Sequence, residues 1–173
     1  DTELRARVLA RIQTPPHGGS AADYVMWAKE IAGVTRAWVY PGEPGAGTVV
    51  VRFMRDNDVA PIPNSGAVAA VQAYLDTLRP VTAALTVAAP VAQPLNFSIT
   101  LTPNTTAARA AVQVALADLI TREAVPGGTL LLSHIREAIS LATGELNHIL
   151  TAPAADVTCA TGLISTMGVV TWL

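Results

Sequence analysis

The sequence predicts an α+β fold: two related helix and β-hairpin units, with mixed or antiparallel sheets backed by helices, ferredoxin-like halves being one form such units take. Three observations predict it. Leu95, Phe97, Ile99 and Leu101 alternate with Asn96, Ser98, Thr100 and Thr102, the period of a half-buried strand. Val68, Val71, Leu75 and Leu78 recur at three- and four-residue spacing, which lines one face of a helix. An internal echo joins the two halves. Gly18-Gly19-Ser20, a helix, Gly33, a strand and Pro41 are paralleled by Gly127-Gly128-Thr129, a helix, Gly144, a strand and Pro153, and a return strand follows in each.

The elements follow in order. Residues 1–12 read as a helix with Leu4, Val8 and Ile12 on one stripe, and Pro15, Pro16, Gly18 and Gly19 make a loop over residues 13–19. Ser20 caps the next helix, Asp23 sits favourably near its positive end, and Tyr24, Trp27, Ala28 and Ile31 face inward. Gly33 stops it in a left-handed conformation. Strands are expected over residues 34–40 and 48–55, joined by the turn Pro41–Gly47, with Val49, Val51 and Phe53 sharing a face. After a loop held by Pro61 and Pro63, Asn64 or Ser65 caps the helix that ends at Arg79-Pro80. Two consecutive strands follow, over residues 83–89 and 95–102. Thr105 caps a long helix reaching Ala124, with Ala108, Val112, Ala115, Leu116, Leu119 and Ile120 inward. Ser133 caps another through Thr143; strands over residues 146–150 and 168–173 complete the chain. The expected domains are a helix and linker over 1–19, a first α+β unit over 20–92 and a second over 93–173.

Composition narrows the function. The chain has 173 residues, enough for one domain or two small ones, and a net charge of −2. Its basic residues are spread without a cluster, so nucleic acid is not an expected partner. The uncharged run from Pro80 to Ala108 is broken by Pro90, Pro94 and Pro103 and carries alternating polar residues, so no membrane partner is expected either. Cys159 permits no internal disulfide, and a small buried residue is its ordinary role. The charged fraction is 14%, well below the average of about 25% for soluble domains. Either interface cores depleted in charge or an Ala-, Arg- and Gly-rich composition accounts for that. The chain opens without Met and reads as a piece of a longer protein.

Sites of chemistry are not expected: no catalytic residue, no cofactor-binding residue and no metal ligand. His17, His134 and His148 form no pair at ligand spacing with one another or with Cys159. Asp56-Asn57-Asp58 lacks the Gly and distant Glu of a calcium loop. The Gly-rich Pro41–Gly47 joins two strands and opens no helix, so it cannot present a helix start to phosphate. Ser20, Ser65, Ser133 and Ser140 have no nucleophile-elbow context. Trp38 and Tyr40 share a strand face with Val34 and Arg36. They pack under a helix, the commoner role, or they meet a neighbouring subunit, since aromatics and Arg favour interface centres.

The order of segments carries a resemblance. Gly33-Val-Thr-Arg-Ala-Trp-Val-Tyr-Pro41 precedes Gly47-Thr-Val-Val-Val-Arg-Phe-Met-Arg-Asp56; then come Pro63, Val68–Leu75 and Leu78-Arg-Pro-Val-Thr-Ala83. Far downstream stand Pro126-Gly-Gly128 and Gly168-Val-Val-Thr-Trp172. Over roughly residues 18 to 173 this resembles the baseplate J-like family of contractile-tailed phages, in its central and C-terminal part. The resemblance implies a non-enzymatic structural protein of a phage or prophage tail baseplate, or of a related contractile injection device. It implies other baseplate and tail proteins as partners, an oligomer in the particle, and residence in the virion tail after assembly in the host cytoplasm. The alternative is an enzyme or small-ligand domain whose site is gathered from scattered residues.

Overall fold

The computed structural model describes residues 18–173 together with Arg5, Val8 and Leu9. Those three are helical; the rest of the helix expected over residues 1–12, and the loop positions before Gly18, lie outside the described residues. The chain forms two compact units, which meet in sequence at Ala89 and Pro90. Among the described residues, four full helices and three small sheets make an α+β fold.

The first unit runs α1 (Ala21–Glu30), β1 (Arg36–Pro41), β2 (Thr48–Met54), α2 (Ser65–Asp76) and β3 (Ala84–Ala88). Ser20 caps α1 with a reciprocal box: its Oγ accepts the Asp23 N–H, and the Asp23 carboxylate accepts the Ser20 N–H at 2.9 Å. Asp23 is buried completely, and its carboxylate also accepts the Gly19 N–H at 2.9 Å. Gly33 holds φ +89°, and a side chain there would strike the Arg55 guanidinium. The strand order is β1-β2-β3, with β1/β2 antiparallel and β2/β3 parallel. The αββαβ order follows the later elements of a ferredoxin-like unit, but β2 and β3 pair directly and in parallel, where a split βαβ unit places another strand between them.

Alternation assigns the two faces of that sheet. Ala37, Val51, Phe53 and Val87 form one cluster with Tyr24 and Ala28 of α1 and Val71 and Leu75 of α2; Val39, Val49 and Leu85 pack against it. Each large apolar side chain fully buried there is worth about 1.5–3 kcal/mol. Val50, Arg52 and Met54 are buried on the other face. β2 is therefore covered on both sides, which its sequence conceals because only one of its faces was expected to be inward. Asn64, not Ser65, caps α2, accepting the Ala67 N–H at 2.9 Å. The helix ends at Asp76, leaving Leu78 outside it and 38% exposed.

The second unit runs β4 (Val91–Thr102), α3 (Thr106–Glu123), β5 (Thr129–Leu130), α4 (Leu132–Ser140), β6 (Asn147–Ala152), β7 (Val157–Thr158) and β8 (Leu163–Trp172). β4 is the centre of its sheet, antiparallel to β6 and parallel to β8. β6 and its expected return strand thus stand on opposite sides of β4. The consecutive strands β3 and β4 also part company, one to each unit, because Ala89-Pro90 keeps the chain extended where a hairpin needs a tight turn. Leu95, Phe97, Ile99 and Leu101 are all buried, as are Ala108, Val112, Leu116, Leu119 and Ile120 of α3; Ala115 is half-buried. Thr105 caps α3 through the Ala108 N–H.

Ser133 does not cap α4. It lies inside the first turn, the cap position is Leu131, and the carboxylate of distant Asp156 accepts the Leu132 N–H at 2.8 Å. The long-range cap fixes the segment after β6 against the start of α4, and β5 and β7 pair beside it. The two-residue strands are too short for any periodicity to announce them. β8 begins at Leu163, five residues before the alternation at Gly168 suggests.

Candidate interaction surface

The polar and aromatic groups of the first unit converge on the sheet face turned away from α1 and α2. Trp38 stands opposite Arg52 and Tyr40 opposite Val50 in the β1/β2 register, with Arg36 opposite Met54. The Arg36 guanidinium lies 5.2 Å from the Trp38 ring centre, and that of Arg52 lies 5.1 Å from the Tyr40 ring centre. Each guanidinium is also gripped by a two-point carboxylate. Arg36 donates to Asp56 at 2.8 and 2.7 Å, and Arg52 donates to Glu43 at 2.5 and 2.6 Å. A forked pair fixes the plane of the guanidinium, so each cation is held in place beside its ring.

The electrostatics follow from those bonds. The hydrogen bond from Arg52 holds the Glu43 carboxyl below the usual range, burial opposing it, and the same bond raises Arg52. Burial pushes Asp56 up, but bonds from Arg36 and Thr35, the Arg36 charge and its own backbone N–H outweigh it and leave the net shift downward. Burial raises the Tyr40 hydroxyl, Arg52 opposing. The face therefore carries two neutralised ion pairs and two half-buried rings, locked in place before anything binds.

This placement corrects the helix-packing reading of Trp38 and Tyr40. Neither belongs to the core beneath the helices; their strand neighbours Ala37 and Val39 do. Alternation could have shown it, since Val39 and Ala37 are the apolar partners of Val51 and Phe53, and Trp38 is out of phase with them.

The other residues weighed for chemistry fall to structural roles. Asp56 is held by Arg36 and Thr35, and Asp58 by Arg55 at 2.5 Å. His134 pairs with Glu123 at 2.7 Å and His148 with Glu145 at 3.0 Å, while His17 lies outside the described residues. Cys159 is buried with Sγ 3.2 Å from the Ser165 hydroxyl. The Pro41–Gly47 segment turns β1 into β2 through positive φ at Gly42, Gly45 and Gly47. Among the described residues no group of three His, Cys, Asp or Glu side chains could hold a metal ion, and no helix is long and apolar enough to cross a membrane. A surface depression of about 420 Å³ lies among Arg55, Asp58, Ile62 and Asn64. Its polar groups already bond one another or the backbone, with Arg55 on Asp58 and Asn64 on Ala67.

The fold and this face define a class first: a two-unit α+β protein with a preordered polar and aromatic sheet face. Residues 16–89 match the Baseplate J-like central domain and residues 95–173 the Baseplate J-like protein C-terminal domain, and the chain belongs to the baseplate J-like family. It is 40% identical over 169 residues to the protein JayE of Escherichia coli (strain K12), covering 97% of this chain and 64% of that protein. It is 38% identical over 184 residues to the Mu-like prophage FluMu protein gp47 of Haemophilus influenzae, covering 99% of this chain and 51% of that one. Over 181 residues it is 35% identical to the baseplate protein gp47 of Escherichia phage Mu, covering 99% and 50%. It thus spans between half and just under two-thirds of the length of these relatives. Among solved structures, a chain of the baseplate of the anti-feeding prophage shares the fold at a TM-score of 0.65 and 12% identity, over 96% of this chain and 41% of that one.

Proposed function

We propose that this chain is a structural part of a contractile phage or prophage tail baseplate and that it works by gripping neighbouring baseplate and tail proteins. The observation that carries the reading is the ladder of Trp38, Tyr40, Arg36 and Arg52, which lies outside the core yet is held rigid by bidentate carboxylates. Preordered aromatic and arginine side chains lose little entropy when a partner covers them, which suits an interface centre. The name of the phage Mu relative supports the baseplate, and that of the FluMu relative a Mu-like prophage. In this reading the protein has no catalytic step, cofactor, metal, nucleic-acid partner or membrane partner. It assembles in the host cytoplasm and ends in the virion tail as part of an oligomer. A leading segment over 1–19 precedes two building blocks, whose division falls at Ala89 and Pro90, three residues before the expected 92/93.

Trp38→Ala tests it in the full-length protein. The substitution removes one cation–π contact and should cost the isolated chain about 1 kcal/mol or less. Truncating an interface anchor costs about 2 kcal/mol or more in binding. The expected outcome is a folded variant that fails to co-purify with other tail components. A variant that unfolds returns the ring to a packing role, and one that assembles normally removes the face from the interface. Binding or hydrolysis of a metabolite by the purified protein would favour the small-ligand alternative.

A further inference from the structure

The buried and half-buried arginines follow a rule with one exception. Arg36, Arg52, Arg55 and Arg79 are paired with the carboxylates of Asp56, Glu43, Asp58 and Asp76 in turn. Arg109 is half-buried as well, yet among the described residues no carboxylate pairs with it. Drawing a cation partly out of water without a counter-charge is costly, so such a group gains from an incoming anion.

Its surroundings hold it ready. Arg109 stands in the first turn of α3, and Trp172 ends β8, which packs against that helix. The guanidinium lies 5.6 Å from the Trp172 ring centre, and its Nε donates to Asn104 Oδ1 at 2.5 Å. Ring and amide fix the cation and leave its two Nη groups open. That end of the fork takes a carboxylate in two parallel bonds. Arg52 meets Glu43 through the same two nitrogens while lying beside Tyr40, so the first unit shows the finished arrangement. Arg109 and Trp172 have the ring and the guanidinium of it.

We propose that Arg109 and Trp172 form a docking point for an acidic side chain, Asp or Glu, of a different protein, its carboxylate forked onto the two Nη groups beside the indole. Arg and Trp are the residue types that anchor interfaces. Charge selects the chemistry of the partner. Neither β4 nor β8 carries a charged residue, and the one other cation of α3, Arg122, stands about 20 Å along the helix and is bound to Asp118. A single positive charge matches a single carboxylate, whereas a nucleic-acid backbone calls for several cations. A second copy of the chain is a poor source. Every acidic side chain among the described residues except Glu137 already accepts a hydrogen bond. The inference concerns the second unit and does not lean on the baseplate reading.

Nuclear magnetic resonance of the full chain tests it. A capped tripeptide with a central glutamate is titrated beside its glutamine counterpart and inorganic phosphate, following the Arg109 Nε–H and the Trp172 indole N–H. The glutamate peptide should move both resonances saturably, and about threefold or more tightly than it moves the exposed Arg136 Nε–H, while the glutamine peptide moves neither. Arg109→Gln should abolish the Trp172 response with the rest of the spectrum kept. Arg109→Lys keeps the charge without the fork and should weaken the response about threefold or more; should Arg109→Gln misfold, Arg109→Lys decides. A response no tighter than at Arg136, one that the glutamine peptide matches, one that the Arg109 variants leave unchanged, or phosphate binding tighter than the glutamate peptide would each overturn the proposal.

Discussion

Gly168→Ala is a test of the joint that holds the second unit together. The β4/β8 register slips between Leu95 and Phe97: Leu95 stands against Met167 and Phe97 against Val170. Gly168 and Val169 therefore share the one place opposite Asn96, and the Asn96 side chain fills the bulge by accepting the Val169 N–H at 2.9 Å. A methyl group on Gly168 would stand 2.6 Å from the Leu95 carbonyl oxygen and 2.8 Å from its carbon, and would also strike Asn96 Oδ1. The obstruction is backbone of the central strand, which cannot swing aside as a flexible side chain would. Overpacking costs about 1–3 kcal/mol and loss of the Asn96 bond about 1, offset by about 0.4–1 from the less flexible unfolded chain. The net expectation is a loss of about 1–3 kcal/mol. Urea unfolding measures it, and hydrogen exchange should place the loss in the amides of β4 and β8. Gly66→Ala is the control. Its nearest neighbour is Asn64 Oδ1 at 3.4 Å, and a helix position with ordinary φ should gain up to about 1 kcal/mol from the same methyl. A Gly168→Ala variant within about 0.5 kcal/mol of the parent would refute the argument.

Asp156→Ala should cost about 1 kcal/mol by uncapping α4, and Asp156→Asn, which keeps the acceptor, should recover most of it; thermal unfolding reads both. Gln72→Ala should cost about 1–2 kcal/mol by leaving the Val87 N–H and Leu85 carbonyl without their cover, and light scattering should show more association because the β3 edge is opened. His134 is raised by its hydrogen bond to Glu123 and then by the charges of Glu123, Glu137 and Asp156, with desolvation opposing. A raised folded-state pKa gives stability that is fully present below the unfolded value of about 6.5 and is lost as pH rises through the folded one. The stability difference between the parent and His134→Gln should therefore widen from about pH 8 to pH 6, and a flat difference would exclude the linkage.

Helices were legible in this chain because each carries a stripe with a physical period and a cap beside it. Ser20, Asn64 and Thr105 all bond the N–H three residues on, as their side chains must when they sit just before a helix. Cap and helix are local, so the sequence contains both partners. α4 is the exception that explains the rule: its cap is Asp156, 24 residues away, and Ser133 was the nearest local substitute. The candidate face was half legible. Trp38, Tyr40 and Arg36 stood on one side of a strand in the sequence, but Arg52, Glu43 and Asp56 join them through pairing and turn geometry.

By itself the sequence determined the four described helices and the longer strands, which residues are apolar on one side, and, through the order of its segments, the family. Strand partners were left to the tertiary structure. The alternation of β4 is the same whether β6, β8 or β3 lies beside it, since periodicity records only that a face is buried. Partner choice depended on where Ala89-Pro90 forbids a turn, where Gly168 lets two backbones approach, and which edges were closed by Gln72 and Pro153. Those are relations between residues far apart in the chain, and only packing brings them together.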